Sequence, residues 1–320
     1  MLESCPGYEF RTFDLRDVGC INALYYEEYG ENYPYPLQPD RAALSALSTV
    51  AVCRGTVVGF ARATPYAGNP KIFEFGGLIV QEAHRHRKVA KALTMRRMAA
   101  VVTAGATMVF SEPVCNRPDR ASQFNLLDRG FTLCGILPFK YPEIKTSVLG
   151  HQPETVAMAY RLLDTPSRAP HPPLMVPEEI RNHLQVLTHR SQPRLSDSYA
   201  LTGTMPDVIT HKHLITRHQT GSMFVDVPAN WAKSPSLIQS FLRQGYLFAG
   251  WLPSFGTTSY GQPFDYVTLY RPPLTDFDYS LIHVTDGLQA LQRLMADEYE
   301  RYTCPAGQHD LIGLHPVPPC

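Results

Sequence analysis

Two kinds of hydrophobic spacing alternate along the first 163 residues. Short apolar runs and alternating apolar positions predict strands at 8–15, 49–53, 57–63, 72–80, 108–111, 131–137 and 156–162. Apolar residues at intervals of three or four predict helices at 17–28, 40–47, 87–102 and 120–128. This order predicts an α/β fold (α+β, with a mixed sheet).

The later residues repeat this mixture of elements. Helices are predicted at 178–189, 234–243 and 288–299, and strands at 199–202, 222–227, 246–252 and 266–271. Between the two parts, the stretch 165–177 contains five prolines, and proline fixes φ and removes an amide hydrogen. We therefore expect a stiff linker over 164–177 that separates a domain of residues 1–163 from a domain of residues 178–320.

One sequence pattern occurs twice. Residues 127–138 (LDRGFTLCGILP) and 242–253 (LRQGYLFAGWLP) share the first Leu, both Gly and the closing Leu-Pro. Each copy precedes a strand that contains Tyr-Arg. The pattern predicts two related halves, and a chance similarity between two helix–strand junctions is the alternative.

Composition limits the class of protein. Lys plus Arg and Asp plus Glu both number 29, and the zero net charge argues against a protein built mainly to bind nucleic acid. Seven scattered cysteines, no signal-peptide pattern and no long apolar run predict a cytoplasmic protein without membrane contact. The pairs His84/His86 and His211/His213 lack a third ligand nearby in sequence, so no metal site is predicted.

The segment most informative about chemistry follows the predicted strand 72–80. A short turn leads into the helix 87–102, and a helix N-terminus offers unpaired amide hydrogens and partial positive charge to an anion. Six cations without an intervening acid lie there: Arg85, Arg87, Lys88, Lys91, Arg96 and Arg97. The pattern predicts a phosphate site, and a solvent-exposed basic helix face is the alternative.

The turn residues 85–90, Arg-His-Arg-Lys-Val-Ala, resemble the acyl-CoA motif of the GNAT acyltransferase superfamily. That motif is Arg or Gln, two residues, Gly, one residue, and Gly or Ala at the start of a helix. Arg85 and Ala90 match it, whereas Lys88 replaces the first Gly. Residues 29–33 (YGENY) and the Gly-aromatic, Gly-x-Leu-Pro strand at 245–253 resemble tandem members, which have two GNAT-like halves.

The resemblance implies a donor site. The family binds the pantetheine arm of acyl-CoA in a V between its fourth and fifth strands, where backbone groups pair with it like an added strand. The residues implied here are Leu78, Val80, Arg85, Arg87, Lys88, Val89, Ala90 and Ser122. The pair Gly76-Gly77 is expected to form a bulge that opens the V, and a simple kink is the alternative.

The resemblance also implies catalytic residues. An amine that attacks a thioester must lose a proton, and the leaving thiolate gains one. Glu74 is the candidate base, with an exposed strand carboxylate as the alternative. The family's usual general acid, a Tyr just before Gly-Phe, is missing here. Tyr141 is the candidate replacement. Tyr26, Glu31 and Tyr33 are candidates for acceptor binding, with aromatic packing as the alternative.

Together these expectations describe an N-acyltransferase acting on a small-molecule amine. The donor is acyl-CoA or a 4'-phosphopantetheine thioester on an acyl carrier protein, which the basic helix would dock. Charged tRNA is a further alternative, against which the zero net charge counts. The second half has no equivalent of the 85–90 turn and is expected to be a degenerate GNAT-like half. A non-catalytic sensor or interaction module is the rival class, because the family's Gly and Tyr are missing.

Overall fold

Helices and strands alternate along the chain much as the hydrophobic spacing predicts. The computed structural model describes residues 5–38, 47–66, 69–145, 153–163, 173–187, 215–219, 222–257, 263–273 and 277–303. The predicted strand at 199–202, and the predicted helix at 40–47 apart from its last residue, lie outside the described residues.

The elements are numbered in chain order. The strands are β1 (Glu9–Thr12), β2 (Thr49–Cys53), β3 (Thr56–Tyr66), β4 (Asn69–Val80), β5 (Met108–Ser111), β6 (Thr132–Lys145), β7 (Pro153–Leu162), β8 (Ile215–Gln219), β9 (Ser222–Pro228), β10 (Leu247–Thr257) and β11 (Pro263–Arg271). The α-helices are α1 (Val18–Tyr29), α2 (Val89–Thr103), α3 (Ala121–Leu127), α4 (Glu178–Leu187), α5 (Ser234–Arg243) and α6 (Asp286–Thr303).

Contacts divide the chain into two compact units. The first comprises residues 1–113, 121–132 and 159–168, and the second comprises residues 114–120, 133–158 and 169–320. Two segments of the predicted domain 1–163 therefore belong to the second unit. Most of the predicted linker, residues 164–172, lies outside the described residues, so the division at 164–177 stays a prediction.

The first unit contains a mixed sheet. Strands β1 to β4 pair antiparallel in chain order, β4 pairs with β5 in parallel, and β5 pairs antiparallel with residues 159–162 of β7. Successive side chains of a strand point to opposite faces, so Val50 packs against Ile21 of α1 while Ala51 packs against Leu93 of α2. The mixed sheet with helices on both faces confirms the predicted fold class.

Strand β6 is longer than the sequence predicts. The expected strand ends at residue 137 because Pro138 follows, yet β6 continues to Lys145. Phe139 takes a φ of +56°, which bends the chain after the proline without ending the strand. In the second unit β6 is followed by β10, β11, β9 and β8 in spatial order, and these neighbours pair antiparallel.

The twice-occurring pattern has the same backbone geometry in both copies. Its first glycines, Gly130 and Gly245, have φ values of +72° and +82°. The residues directly after its prolines, Phe139 and Ser254, have φ values of +56° and +54°. Positive φ is rare in residues other than glycine, so its recurrence at the same place is a specific similarity.

Matching hydrogen bonds support the two bends. In the first copy the amide of Thr155 donates to Asn116 Oδ1 at 3.0 Å, and in the second the amide of Asp265 donates to Asn230 Oδ1 at 2.6 Å. The side chains of Thr155 and Asp265 in turn accept the amide of the residue after each proline, at 3.4 Å and 2.7 Å. The duplication stays a prediction, which these correspondences support.

The central glycines of the two copies meet. Gly135 of β6 lies opposite Gly250 of β10. A Cβ at Gly135 would lie 2.5 Å from the Ala249 carbonyl oxygen, and a Cβ at Gly250 would lie 2.8 Å from the Cys134 carbonyl oxygen. Both obstacles are backbone atoms, which cannot rotate away. Each position therefore needs glycine because of the other strand.

We expect Gly250→Ala to lower the free energy of unfolding by about 1–3 kcal/mol, because overpacking forces strands β6 and β10 apart. The matched control is Gly287→Ala, since nothing lies within 4 Å of a Cβ at Gly287. Urea denaturation of both variants measures the difference. Equal stability of the two variants would contradict the steric argument.

Candidate functional site

Strands β4 and β5 pair in parallel up to the point where β5 ends. Their parallel register ends at Phe75 and Ser111, where Ser111 Oγ donates to the Phe75 carbonyl at 2.6 Å. Strand β5 ends there, whereas β4 continues to Val80. The backbone of β4 beyond Phe75 thus has no partner on β5, and the V between these strands that the resemblance implies stays a prediction.

A bulge in the pairing of β3 with β4 begins directly after this point. The register between β3 and β4 slips between Phe60 and Arg62, and Gly77 has a φ of +56°. The hydroxyl of Tyr25, on α1, donates to the Gly77 carbonyl at 3.0 Å, and a Cβ at Gly77 would lie 2.5 Å from that hydroxyl oxygen. The predicted bulge is confirmed, and both the positive φ and the Tyr25 hydroxyl disfavour a side chain at position 77.

Arg97 holds the bulge from the other helix. Its Nη1 donates to the carbonyls of Gly76 at 3.1 Å and Arg62 at 3.0 Å, and its guanidinium carbon lies 4.2 Å from the centre of the Phe75 ring. The residue is only 1% exposed, and this burial lowers the pKa of its guanidinium to about 9. The prediction that Arg97 belongs to a basic docking surface is therefore wrong.

The predicted phosphate turn leads into α2. The first hydrogen bond of the helix joins the amide of Ala92 to the Lys88 carbonyl at 3.0 Å, so the amides of Val89 and Ala90 have no acceptor within the helix. Lys88 takes φ +63° and ψ +10°, the left-handed region that favours glycine. The backbone therefore takes the shape expected of the family's glycine, with a lysine in that place.

Arg85 is engaged within the protein. Its guanidinium forms an ion pair with Glu28 of α1, and its Nε donates to the Val80 carbonyl at 3.1 Å. Arg87 and Lys88 are exposed, so they lie open to an anion at the helix N-terminus. The predicted donor roles of these residues stay predictions, and Arg85 has the additional task of joining α1 to the end of β4.

Glu74 faces Arg62 across the strand pair. The carboxylate Oε1 lies 3.5 Å from Arg62 Nη2, and both side chains are about one-third exposed, at 35% and 37%. Thr64 is the register partner of Glu74 on β3, and Phe110 is its partner on β5. The candidate base thus stands on a partly open face of the sheet in the first unit.

The acceptor candidates on and after α1 differ in their surroundings. Tyr33 stacks between Tyr25 and Tyr29, with ring centres 5.2 Å and 4.9 Å away, so it has the packing role that was the alternative interpretation. Tyr26 and Glu31 are exposed. The residue of α1 that reaches the bulge is instead the neighbouring, buried Tyr25.

The remaining predicted residues are spread over both units. Leu78 is half-buried and Val80 is buried at the end of β4, and Ser122 is half-buried on α3, all in the first unit. Tyr141 lies on β6 in the second unit, where Lys140 Nζ is 5.9 Å from its ring centre. Glu74 and the proposed acid Tyr141 therefore belong to different compact units.

Sequence reasoning missed Arg62 and Thr64. The same argument that selected Glu74, a charge within an apolar strand, applies to Arg62 in the stretch VVGFARAT. The hydroxyl of Thr64 gives no such signal, because threonine is common in strands.

Cysteine and metal chemistry receive no support from the described residues. Burial, together with the nearby Glu154 carboxylate, raises the pKa of the Cys115 thiol well above its usual range, so it is not an activated nucleophile. His84 Nδ1 lies 2.9 Å from the hydroxyl of Tyr8. No group of three or more His, Cys, Asp or Glu side chains that could hold a metal occurs within the described ranges, and His211 and His213 lie outside them.

A cavity of about 780 Å³ lies in the second unit, between α6 and the segment 277–284. It contains none of the predicted site residues. Across the described part of the chain, we find no helix with the length and apolar character needed to cross a membrane.

Glu154 generates a prediction about pH. Burial raises the pKa of its carboxyl from 4.5 to about 7, so between these values the folded protein holds a proton that the unfolded chain has released. The free energy of unfolding therefore falls as pH rises through this window. We expect Glu154→Gln to be more stable than the parent by about 2–3 kcal/mol near pH 8 and equally stable near pH 4.5.

Denaturation curves across this pH range measure the effect, with the exposed Glu9→Gln as the control. A stability difference between Glu154→Gln and the parent that does not change with pH would contradict the assignment.

Lys88 generates a prediction about backbone strain. The left-handed conformation costs a residue with a Cβ about 1–2 kcal/mol, so we expect Lys88→Gly to raise the free energy of unfolding by about 1 kcal/mol. Lys88→Ala keeps the Cβ and should bring no such gain. Thermal denaturation of the two variants separates the backbone effect from the loss of the ammonium group, and equal stabilities would contradict it.

Comparison with known proteins places this geometry in a family. Residues 18–121 match the model of the acetyltransferase (GNAT) family. No curated protein is a match for the chain. The matched residues run from α1 through β2 to β5 and include the bulge, the paired strands β4 and β5, and the N-terminus of α2.

Three solved structures illustrate the similarity. An N-acetyltransferase from Staphylococcus aureus Mu50 is 18% identical, with 49% of this chain and 99% of that chain covered and a TM-score of 0.41. YncA from Salmonella typhimurium, solved with acetyl-CoA, is 17% identical, with coverages of 51% and 97% and a TM-score of 0.41. A GCN5-related N-acetyltransferase from Kribbella flavida is 22% identical, with coverages of 50% and 100% and a TM-score of 0.40.

The family model thus agrees with the resemblance found in the sequence, and it covers the elements that form the candidate site. Residues 18–121 are an acetyltransferase domain of the GNAT family.

Proposed function

We propose that this domain transfers an acetyl group from acetyl-CoA to the amine of a small molecule. The observation that carries the proposal is that β4 continues beyond Ser111, where β5 ends, next to a helix with an open N-terminus. The family match to residues 18–121 supports acetyl as the group transferred.

The donor would lie between the strands and the helix. The pantetheine arm is a chain of amides, which the backbone of β4 near Leu78 can bind as an added strand. The diphosphate would lie at the N-terminus of α2, where the amides of Val89 and Ala90 and the exposed side chains of Arg87 and Lys88 supply donors and positive charge. The chain's own groups therefore match the two polar parts of coenzyme A.

The reaction needs little further machinery. The amine nitrogen attacks the thioester carbonyl carbon, a C–N bond forms, and the C–S bond breaks to release coenzyme A. Glu74 accepts the proton that the amine loses, and the leaving thiolate takes up a proton. Solvent can supply that proton, and Tyr141, in the second unit, stays a candidate donor from the sequence alone.

An acyl carrier protein as donor loses part of its support. The basic surface that would dock it was expected to contain six cations, but Arg97 is buried and Arg85 is paired with Glu28. Arg96 lies 4.9 Å from the centre of the Phe10 ring, where it packs on β1. The smaller surface that remains suits the diphosphate of coenzyme A better than a protein partner.

Donor binding belongs to the first unit in this proposal. In the second unit, β8 pairs antiparallel with β9 over the register from Gln219 opposite Ser222 to Ile215 opposite Asp226. The pairings of β6 and β8 to β11 described in the second unit are antiparallel, unlike the parallel pair β4 and β5. This arrangement supports the expectation of a half that does not bind the donor.

Calorimetric titration with coenzyme A and acetyl-CoA tests the proposal. We expect micromolar binding that Arg87→Ala weakens about tenfold, because one charge contact to phosphate is lost. Arg243→Ala, an exposed arginine of α5, is the matched control and should bind like the parent. No binding of either ligand would overturn the acetyl-CoA proposal.

Glu74→Gln separates catalysis from binding. Loss of a general base costs about 100-fold or more in rate, so release of coenzyme A in the presence of an acceptor amine should fall by that factor. Donor affinity should stay unchanged, because Glu74 lies away from the helix N-terminus. An unchanged rate would favour a module that keeps the fold without using this carboxylate.

A further inference from the structure

Three polar side chains share one face of the sheet beside the bulge. Arg62 and Thr64 are two residues apart on β3, so they point to the same side. Glu74 on β4 is the register partner of Thr64 and therefore points there too. All three lie in the first unit, close to the point where β5 ends and β4 continues.

Two of these groups are buried without a hydrogen-bond partner. Arg62 Nε and Thr64 Oγ1 are shielded from solvent, and within the described part of the chain neither has a partner. Buried polar atoms are nearly always paired in folded proteins, because an unpaired one destabilises the folded state. A bound molecule with acceptor oxygens would satisfy both.

The Arg62–Glu74 pair is an open ion pair, without a close hydrogen bond between the two groups. Its separation of 3.5 Å exceeds the ~2.8 Å of a close charge-assisted hydrogen bond. Both side chains lie directly over Gly76, where a Cβ would lie 2.8 Å from Arg62 Nη2 and 3.2 Å from Glu74 Oε1. A cation and an anion thus stand side by side over a position without a side chain.

We propose that Arg62, Thr64 and Glu74 form the acceptor subsite and select an amine that also carries a carboxylate, as an amino acid does. The acceptor's carboxylate would take the hydrogen bonds of Arg62 Nε and the Thr64 hydroxyl, and its amine would lie against Glu74. This inference rests on the proposed acetyl transfer and adds the chemical class of the acceptor.

Charge balance distinguishes this acceptor from a simple amine. An ammonium group that takes Glu74 alone would leave the half-buried Arg62 guanidinium unpaired beside a second cation, which is costly. A zwitterion brings one charge for each partner, so the subsite stays neutral overall. The carboxylate of the acceptor should therefore contribute affinity as well as orientation.

The test measures binding without turnover. The L-amino acids are titrated by calorimetry into protein saturated with coenzyme A, and each one that binds is compared with the amine that lacks its carboxylate, such as tyrosine with tyramine. We expect at least one amino acid to bind, and to bind at least tenfold more tightly than its decarboxylated partner. Arg62→Gln should abolish that preference, and Arg62→Lys should restore part of it.

Thr64→Val adds a readout that a structural role would not give. Removal of an unpaired buried hydroxyl should leave the thermal stability of the free protein unchanged or raise it. The same variant should weaken amino-acid binding about three- to tenfold, because one hydrogen bond is lost.

Each other outcome overturns the inference. If no amino acid binds at millimolar concentration, if the decarboxylated amines bind equally well, or if Arg62→Gln keeps the preference, the subsite is not selective for a carboxylate. Coenzyme A binding to the same variants keeps the two proposals apart. Normal donor binding without carboxylate preference overturns the acceptor class alone, whereas loss of donor binding in the parent overturns the proposed function.

Discussion

The geometry of the candidate site depends on a cation inside the hydrophobic core. Arg97 gives up nearly all contact with water, and it is compensated by two carbonyls and an aromatic ring. Those carbonyls belong to Gly76 and Arg62, the register pair next to the slip between Phe60 and Arg62. Without the guanidinium they would be buried and unpaired at the point where the strands shift, so the bulge and the core cation require one another.

Tyr25 provides the complementary contact from the opposite face. Its hydroxyl holds the Gly77 carbonyl while its ring stacks on Tyr33, so α1, the chain after it and β4 are joined at one point. Arg97 on α2 and Tyr25 on α1 thus fix adjacent residues of β4 from two sides. The side chains that flank these residues, Arg62 and Glu74, inherit their positions from this clamp, which is why they form a defined pair on an otherwise open face.

Much of this arrangement could be predicted from sequence, and the failures have physical causes. Apolar spacing predicted the elements of the mixed sheet, and the adjacent glycines predicted the bulge. Arg97 was misplaced because charge was read without helical phase, although Val89, Leu93 and Val101 share its buried face at intervals of four. The end of β6 was misplaced because a proline normally interrupts a strand, whereas β6 continues past Pro138 with a positive φ at Phe139. The partition into compact units follows from contacts distant in sequence, which local patterns do not contain.

The contact between Gly135 and Gly250 makes the two copies of the repeated pattern depend on each other structurally. A chain that ended at residue 163 would still contain all of the matched acetyltransferase segment, 18–121, but it would lose β10, against which β6 lies. The exposed edge would present unpaired backbone groups on a strand rich in apolar residues, the kind of edge that recruits other chains. Strand β10 therefore protects the edge of β6, and a substitution at the central glycine of either copy also displaces the other strand.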